Sequence, residues 1–207
     1  QIQGDLAELA LSAGGAIDLS STLQAGMLHL TSTAATTLTG NQTVTGATTL
    51  DAGAALSISA GVMTAGGALS LEADDTLTIT STLSADSLSL TTTGTADASL
   101  TGDQSIANDA TVTTGGGFTV SGGTLDAGGT LQVTAGGAIG LSSTLEAGVL
   151  DLTSTAAMTL SGDETVTGAA TLDAGGTLTI GGGTVSVGGA LTMEADDTVA
   201  ITSTVSA

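Results

Sequence analysis

Apolar residues recur along this chain in pairs two residues apart, and the pairs recur at a nearly fixed interval. Leu9 and Leu11 are followed by Ile17 and Leu19, Leu28 and Leu30 by Thr36 and Leu38, Leu69 and Leu71 by Leu77 and Ile79, and Leu150 and Leu152 by Met158 and Leu160. Alternation with period two is a strand signal, because successive side chains of an extended chain point to opposite faces. In residues 66–85, GGALSLEADDTLTITSTLSA, Leu83 and Ala85 add a third pair, and Gly, Asp, Ser and Thr fill the gaps as turns require. Helical spacing is absent and glycine is too frequent for stacked helix pairs. The pattern predicts an all-β chain: a right-handed parallel β-helix, or β-solenoid, with three short strands per coil of about 20 residues. Ten coils begin near residues 6, 26, 47, 66, 86, 108, 128, 148, 169 and 188.

The second-to-third-strand spacing carries a further period. Inward positions read as Leu19→Leu23, Leu38→Val44 and Ile58→Met63 give steps of 4, 6 and 5, and Ile79→Leu83, Leu100→Ile106 and Val120→Leu125 repeat them. Three coils therefore form a superrepeat, with boundaries near 6–65, 66–127, 128–187 and a partial copy at 188–207. Only Leu90 breaks step, because two extra residues precede Leu100. Residues 13–85 align without a gap on 135–207 at roughly two identities in three, a mark of duplication. Parallel strands stack about 4.8 Å apart, so ten coils predict a rod of about 48 Å. Each coil buries six inward side chains. Thr36 and Thr48 fall in inward columns and are the expected weak points, while Ala25, Gly46, Ala65, Ala85, Ala127 and Ala147 suggest a pinched third corner.

Composition narrows the partners. The 207 residues include 20 acids, no Lys or Arg, no Cys and no Pro; Phe118 is the single aromatic residue and His29 the single histidine. Without a basic residue there is no counter-charge for a phosphate backbone or an anionic membrane surface, so nucleic acid is excluded as a partner. No apolar run is long enough to cross a membrane as a helix, so no membrane insertion is expected. The lack of Cys fits secreted repeat proteins and cytosolic ones alike. No signal peptide is visible and neither end carries a polar cap, so the reading is of a segment from a longer chain.

Candidate chemistry is confined to outward acids. Aligning coils on their inward columns puts Asp51 beside Glu72, Asp126 beside Glu146 and Asp173 beside Glu194. Like carboxylates at strand spacing repel unless screened or bridged, and a hard divalent cation would relieve them. Asp74 and Asp196 lie just beyond Glu72 and Glu194 and complete the candidate metal set, with Ca²⁺ the ion it would take. The plainer reading is solvated charge on a fibre that must stay soluble. A glycoside-cleaving carboxylate pair is not expected, because a sugar groove uses long loops and basic or aromatic residues that this chain lacks. No nucleophilic triad exists, no other cofactor is expected and the chain is read as no enzyme. His29 points outward between Ala10 and Thr49. Asn41-Gln42-Thr43 fits a glycosylation sequon, a pattern frequent by chance. Thr31-Ser32-Thr33, Thr80-Ser81-Thr82 and Thr153-Ser154-Thr155 fall on different faces, so an ice-binding array is only a remote alternative.

The coils GGALSLEADDTLTITSTLSA, GGALTMEADDTVAITSTVSA and AGGAIGLSSTLEA resemble the central repeats of filamentous-haemagglutinin-like adhesins and other giant bacterial surface exoproteins. The resemblance covers essentially the whole chain. It implies a secreted right-handed β-helix at the bacterial cell surface, acting as a stalk that presents a distant tip to a host or neighbouring cell. The alternative is a subunit of a self-assembling extracellular filament or sheath, joined end to end or side by side.

Overall fold

The computed structural model describes residues 2–59 and 61–207, with side chains from residue 6 onward. The chain winds as a β-solenoid of ten coils, and no helix occurs among the described residues. Successive coils pair in parallel, each residue beside its equivalent in the next turn. One sheet contains ten strands of three residues, from Ile17–Leu19 to Val199–Ile201. The other contains 15 strands and gathers the first and third strands of every coil.

That merger refines the three-strand expectation. At several junctions the third strand of one coil runs into the first strand of the next, as in Leu23–Ser32, Val62–Ala73, Thr82–Thr92, Thr124–Ala135 and Thr144–Ser154. The corner is made by a slip in pairing, between Ala85 and Ser87 and between Ala127 and Thr130, rather than by a full turn. A local irregularity of this kind bends a strand without ending it. In the second coil of each superrepeat the strand does end: Gln42–Val44, Gln104–Ile106 and Glu164–Val166 stop short of the first strand of the next coil.

The inward columns lie where the apolar pairs predict. Leu30, Leu50, Leu71 and Leu90 stack directly, as do Leu38, Ile58, Ile79 and Leu100. All are buried, and each such side chain contributes on the order of 1.5–3 kcal/mol on leaving water. A seventh inward column, Ser32–Ala52–Ala73–Thr92, adds to the six expected. Side-chain volumes compensate along the stack: Phe118 lies between the small Ala98 and Ile139. Of the two inward threonines, Thr36 shares a hydrogen bond of 2.9 Å with Ser32 Oγ, whereas Thr48 Oγ1 has no partner. The insertion before Leu100 is absorbed in a turn around Gly94, whose φ of 64° suits glycine, with the Ala96 amide donating to the Thr93 carbonyl at 3.1 Å.

The third-strand columns correct the expected register. Gln42, not Val44, pairs with Leu23 and Met63, and Val44 pairs with Ala25 and Ala65. Likewise Gln104 lies between Leu83 and Leu125, and Glu164 between Leu145 and Val185. The spacing cycle is therefore 4, 4, 5 rather than 4, 6, 5, and the column expected to hold Gly46 holds Val44. Apolarity misassigned the position because the second coil of each superrepeat places its polar residue inside.

Candidate functional site

The turn that enters the third strand of the second coil carries the same two-residue step in every superrepeat: Asn41-Gln42, Asp103-Gln104 and Asp163-Glu164. The first residue of each step faces outward and joins three coils. Its backbone carbonyl accepts from the coil below, from the amides of Leu23, Leu83 and Leu145 at 2.9 Å each. Its side-chain Oδ1 accepts from the coil above, from the amides of Val62 (2.9 Å), Thr124 (3.0 Å) and Thr184 (2.9 Å). The need arises one coil later, where the connection is a residue longer and the backbone ladder slips, leaving an amide to be satisfied. Glycine accommodates that longer turn: Gly61 and Gly123 adopt φ of 90° and 75°, and a Cβ on Gly61 would fall 2.5 Å from Asn41 Oδ1.

The second residue of each step points into the core, and Gln42, Gln104 and Glu164 are each only 1% exposed. Gln42 Nε2 donates to the carbonyls of Ser21 (3.2 Å) and Gly40 (3.1 Å), and Gln104 Nε2 donates to the carbonyl of Ser81 (3.1 Å). The amide thus offers the donor that a carbonyl-lined corner requires, while its own Oε1 stays unpaired in both copies. Glu164 occupies the same place above Ser143 and has no amide donor. Both of its carboxyl oxygens lack a hydrogen-bond partner, as does the buried Ser143 Oγ beneath. Burial pushes the Glu164 carboxyl from 4.5 up to about 8; the nearby Gly162 backbone pulls it down only in part, and the Asp163 charge pushes it up further. The Gly162 amide is near enough to act electrostatically without forming a hydrogen bond of good geometry.

The outward acids fall in the expected register. Asp51 pairs with Glu72, Asp126 with Glu146, and Asp173 with Glu194 on adjacent strands. Among the described residues no group of three or more His, Cys, Asp or Glu side chains converges. Each pair therefore offers a cation two carboxylates rather than a cage. Asp74 accepts a hydrogen bond from Thr93 Oγ1 at 3.2 Å, and Asp196 is exposed at the equivalent position of the later copy. The Asp126–Glu146 pair borders a shallow groove along the third corner, floored by Gly128 and Gly148. Several other acids cap the next coil: Asp97 Oδ1 accepts from the Gly117 amide at 2.6 Å and Asp109 Oδ1 from the Thr130 amide at 2.7 Å.

His29 is exposed between Ala10 and Thr49, as predicted, with Thr31 Oγ1 at 3.2 Å from its Nε2. Of the three Thr-Ser-Thr strings only Thr80-Ser81-Thr82 lies apart: Thr31-Ser32-Thr33 and Thr153-Ser154-Thr155 occupy the same corner of the coil, on the column that passes through Ala52, Ala73 and Ala135, because they are one position of the duplicated copies, and Ser32, Ser81 and Ser154 all turn inward. The ten-stranded sheet is the least charged surface: beyond Asp18 at its first strand, its outward column reads Thr37, Ser57, Thr78, Ser99 and Thr119, then Gly140. No helix among the described residues is long and apolar enough to cross a membrane.

These features define a β-solenoid with a polar outer surface, in which hydroxyls enter the core at several columns and amide or carboxyl side chains enter it at one recurring step. Compared with protein-family models, curated proteins and solved structures, the chain matches none.

Proposed function

We propose that this chain is a structural, non-catalytic rod within a long secreted bacterial surface adhesin or exoprotein, serving as a spacer in cell attachment. The observation that carries the reading is the coil-on-coil pairing that continues over ten turns, in which the backbone ladders join each coil only to its neighbours. A stack with nearest-neighbour energetics lengthens by duplication without redesign, and the gapless similarity of residues 13–85 and 135–207 is what such growth leaves behind. Backbone ladders and stacked aliphatics would carry the load. The acids keep an extracellular rod soluble, and contact with a host or neighbouring cell surface belongs to regions outside this segment.

The second reading is a subunit of an extracellular filament or sheath. The backbone ladder that pairs each coil with the next is also the contact by which one subunit would add to another. Ca²⁺ between the Asp51–Glu72 or Asp173–Glu194 pairs of adjacent rods would serve either reading as a lateral link. Electron microscopy of the native material with and without a chelator, alongside the mass of the denatured chain, separates them. A very long chain forming single chelator-resistant rods supports the spacer. Short chains joined end to end overturn it in favour of the filament, and bundles that disperse on chelation assign the acidic pairs to Ca²⁺.

A further inference from the structure

Gln42, Gln104 and Glu164 occupy one inward column position in three successive superrepeats, and only the third can carry a charge. The corner they enter is lined by backbone carbonyl from the coil below, which the first two meet with an amide N–H. A carboxylate at that corner is an acceptor facing an acceptor, and both Glu164 oxygens are left unpaired. A carboxylic acid has one O–H and can replace the amide donor toward the Ser143 carbonyl. We propose that Glu164 is a proton-gated latch: in its neutral form it joins the coil at 148–168 to its neighbours, and loss of its proton opens the rod locally at that coil.

Burial and the neighbouring charges favour the neutral form, opposed only in part by the Gly162 backbone. The strand at Thr144–Ser154 contributes Glu146 and Asp151, whose side chains face outward, and the turn contributes Asp163, which is adjacent and negative. The strand at Thr184–Val187 carries no titratable group, nor do the strands across the core at Ile139–Leu141, Met158–Leu160 and Leu178–Ile180. With no Lys or Arg in the chain, no ion pair can compensate a carboxylate there. The position tolerates the acid because its neutral form has nearly the shape of glutamine.

The direction of the pH effect follows. The carboxyl of the folded coil holds its proton up to about 8, against 4.5 in open chain, so the folded state binds more protons between those values. The latch is fully closed below 4.5 and weakens as pH rises, with its stabilisation gone once pH has passed about 8. Across that interval the opening equilibrium increases about tenfold per pH unit. Because solenoid coupling is between neighbours, the effect is expected at the affected coil and those it touches.

The molecule contains its own control. Amide hydrogen exchange, corrected for intrinsic rate, is measured between pH about 6 and about 8 on the intact chain, reading peptides from 148–168 and from the Gln104 coil at 86–107. The expected result is a loss of protection of about tenfold per pH unit in the first coil and a flat profile in the second. Glu164→Gln should make both profiles flat, and Gln104→Glu should give the earlier coil the same pH dependence. Equal profiles in the two coils, or pH dependence that survives Glu164→Gln, would overturn the latch. The Gln104→Glu variant provides a reading even where Glu164→Gln changes expression.

Discussion

The coils at 86–107 and 148–168 occupy the same place in successive superrepeats, yet one holds Gln104 and the other Glu164 at the same buried corner. Their outward partners are identical in kind: Asp103 Oδ1 and Asp163 Oδ1 each accept an amide from the coil above at about the same distance. Their inward partners differ by one functional group. Gln104 donates to Ser81, while Glu164 has no partner for either oxygen. A repeat protein can thus vary its surface freely, but a polar residue that enters the stack must bring the hydrogen-bonding character that the neighbouring backbone demands. At Glu164 that demand is met by a proton.

The comparison can be broken most severely through packing. Phe118 lies one coil above Ala98, fills the space that this small residue leaves, and is fully buried. Phe118→Ala should cost about 3–5 kcal/mol, seen as a lower denaturant midpoint centred on the Gln104 region rather than the Glu164 region. Next in size is the charge itself. Gln104→Glu should make the two regions alike, adding a second pH-dependent loss of stability between 4.5 and about 8 in equilibrium unfolding, while Glu164→Gln should remove the first.

Smaller effects test the outward half of the step. Asp103→Ala leaves the Thr124 amide without its acceptor and should cost about 1 kcal/mol by thermal melting. Asp163→Ala should lose a similar cap at Thr184 but also removes a negative neighbour of Glu164, so its net cost at pH about 8 should be the lower of the two. The smallest change is expected at the surface. Glu146→Gln relieves a like-charge pair with Asp126 and should stabilise by no more than about 0.5 kcal/mol at low salt, fading as salt is added. A gain that appears only after chelation would instead mark that pair as an occupied Ca²⁺ site.

Most of the architecture was legible because strand alternation and coil stacking leave periodic traces. The inward columns through Leu30, Leu38 and their equivalents, the outward position of His29, and the adjacency of Asp51 with Glu72 all follow from counting residues. The third strand of the second coil was misread for a physical reason. Counting inward positions by apolarity selects Val44, Ile106 and Val166, and passes over Gln42, Gln104 and Glu164 two residues earlier. A signal was present: the unequal step of 6 disappears if those polar residues are allowed inside. The trade in volume points the same way, since Leu23 with a small Ala25 on one strand becomes Gln42 with a larger Val44 on the next. The continuous strands at the third corner were not legible, because glycine pairs that usually mark turns lie here in extended chain, as at Gly66-Gly67 within Val62–Ala73. The roles of Asp97, Asp103, Asp109 and Asp163 as caps between coils depend on where the ladder slips, which composition does not reveal.

The central claim is that the core of this rod admits a polar residue only in neutral form. It is tested most directly by titrating the side-chain carboxyl carbons by NMR, with the Glu164 signal assigned by its loss in Glu164→Gln. The account predicts one carboxyl that is still protonated at neutral pH and ionises around 8. A Glu164 carboxyl that is already ionised at neutral pH, in a coil as well protected as that of Gln104, would contradict it.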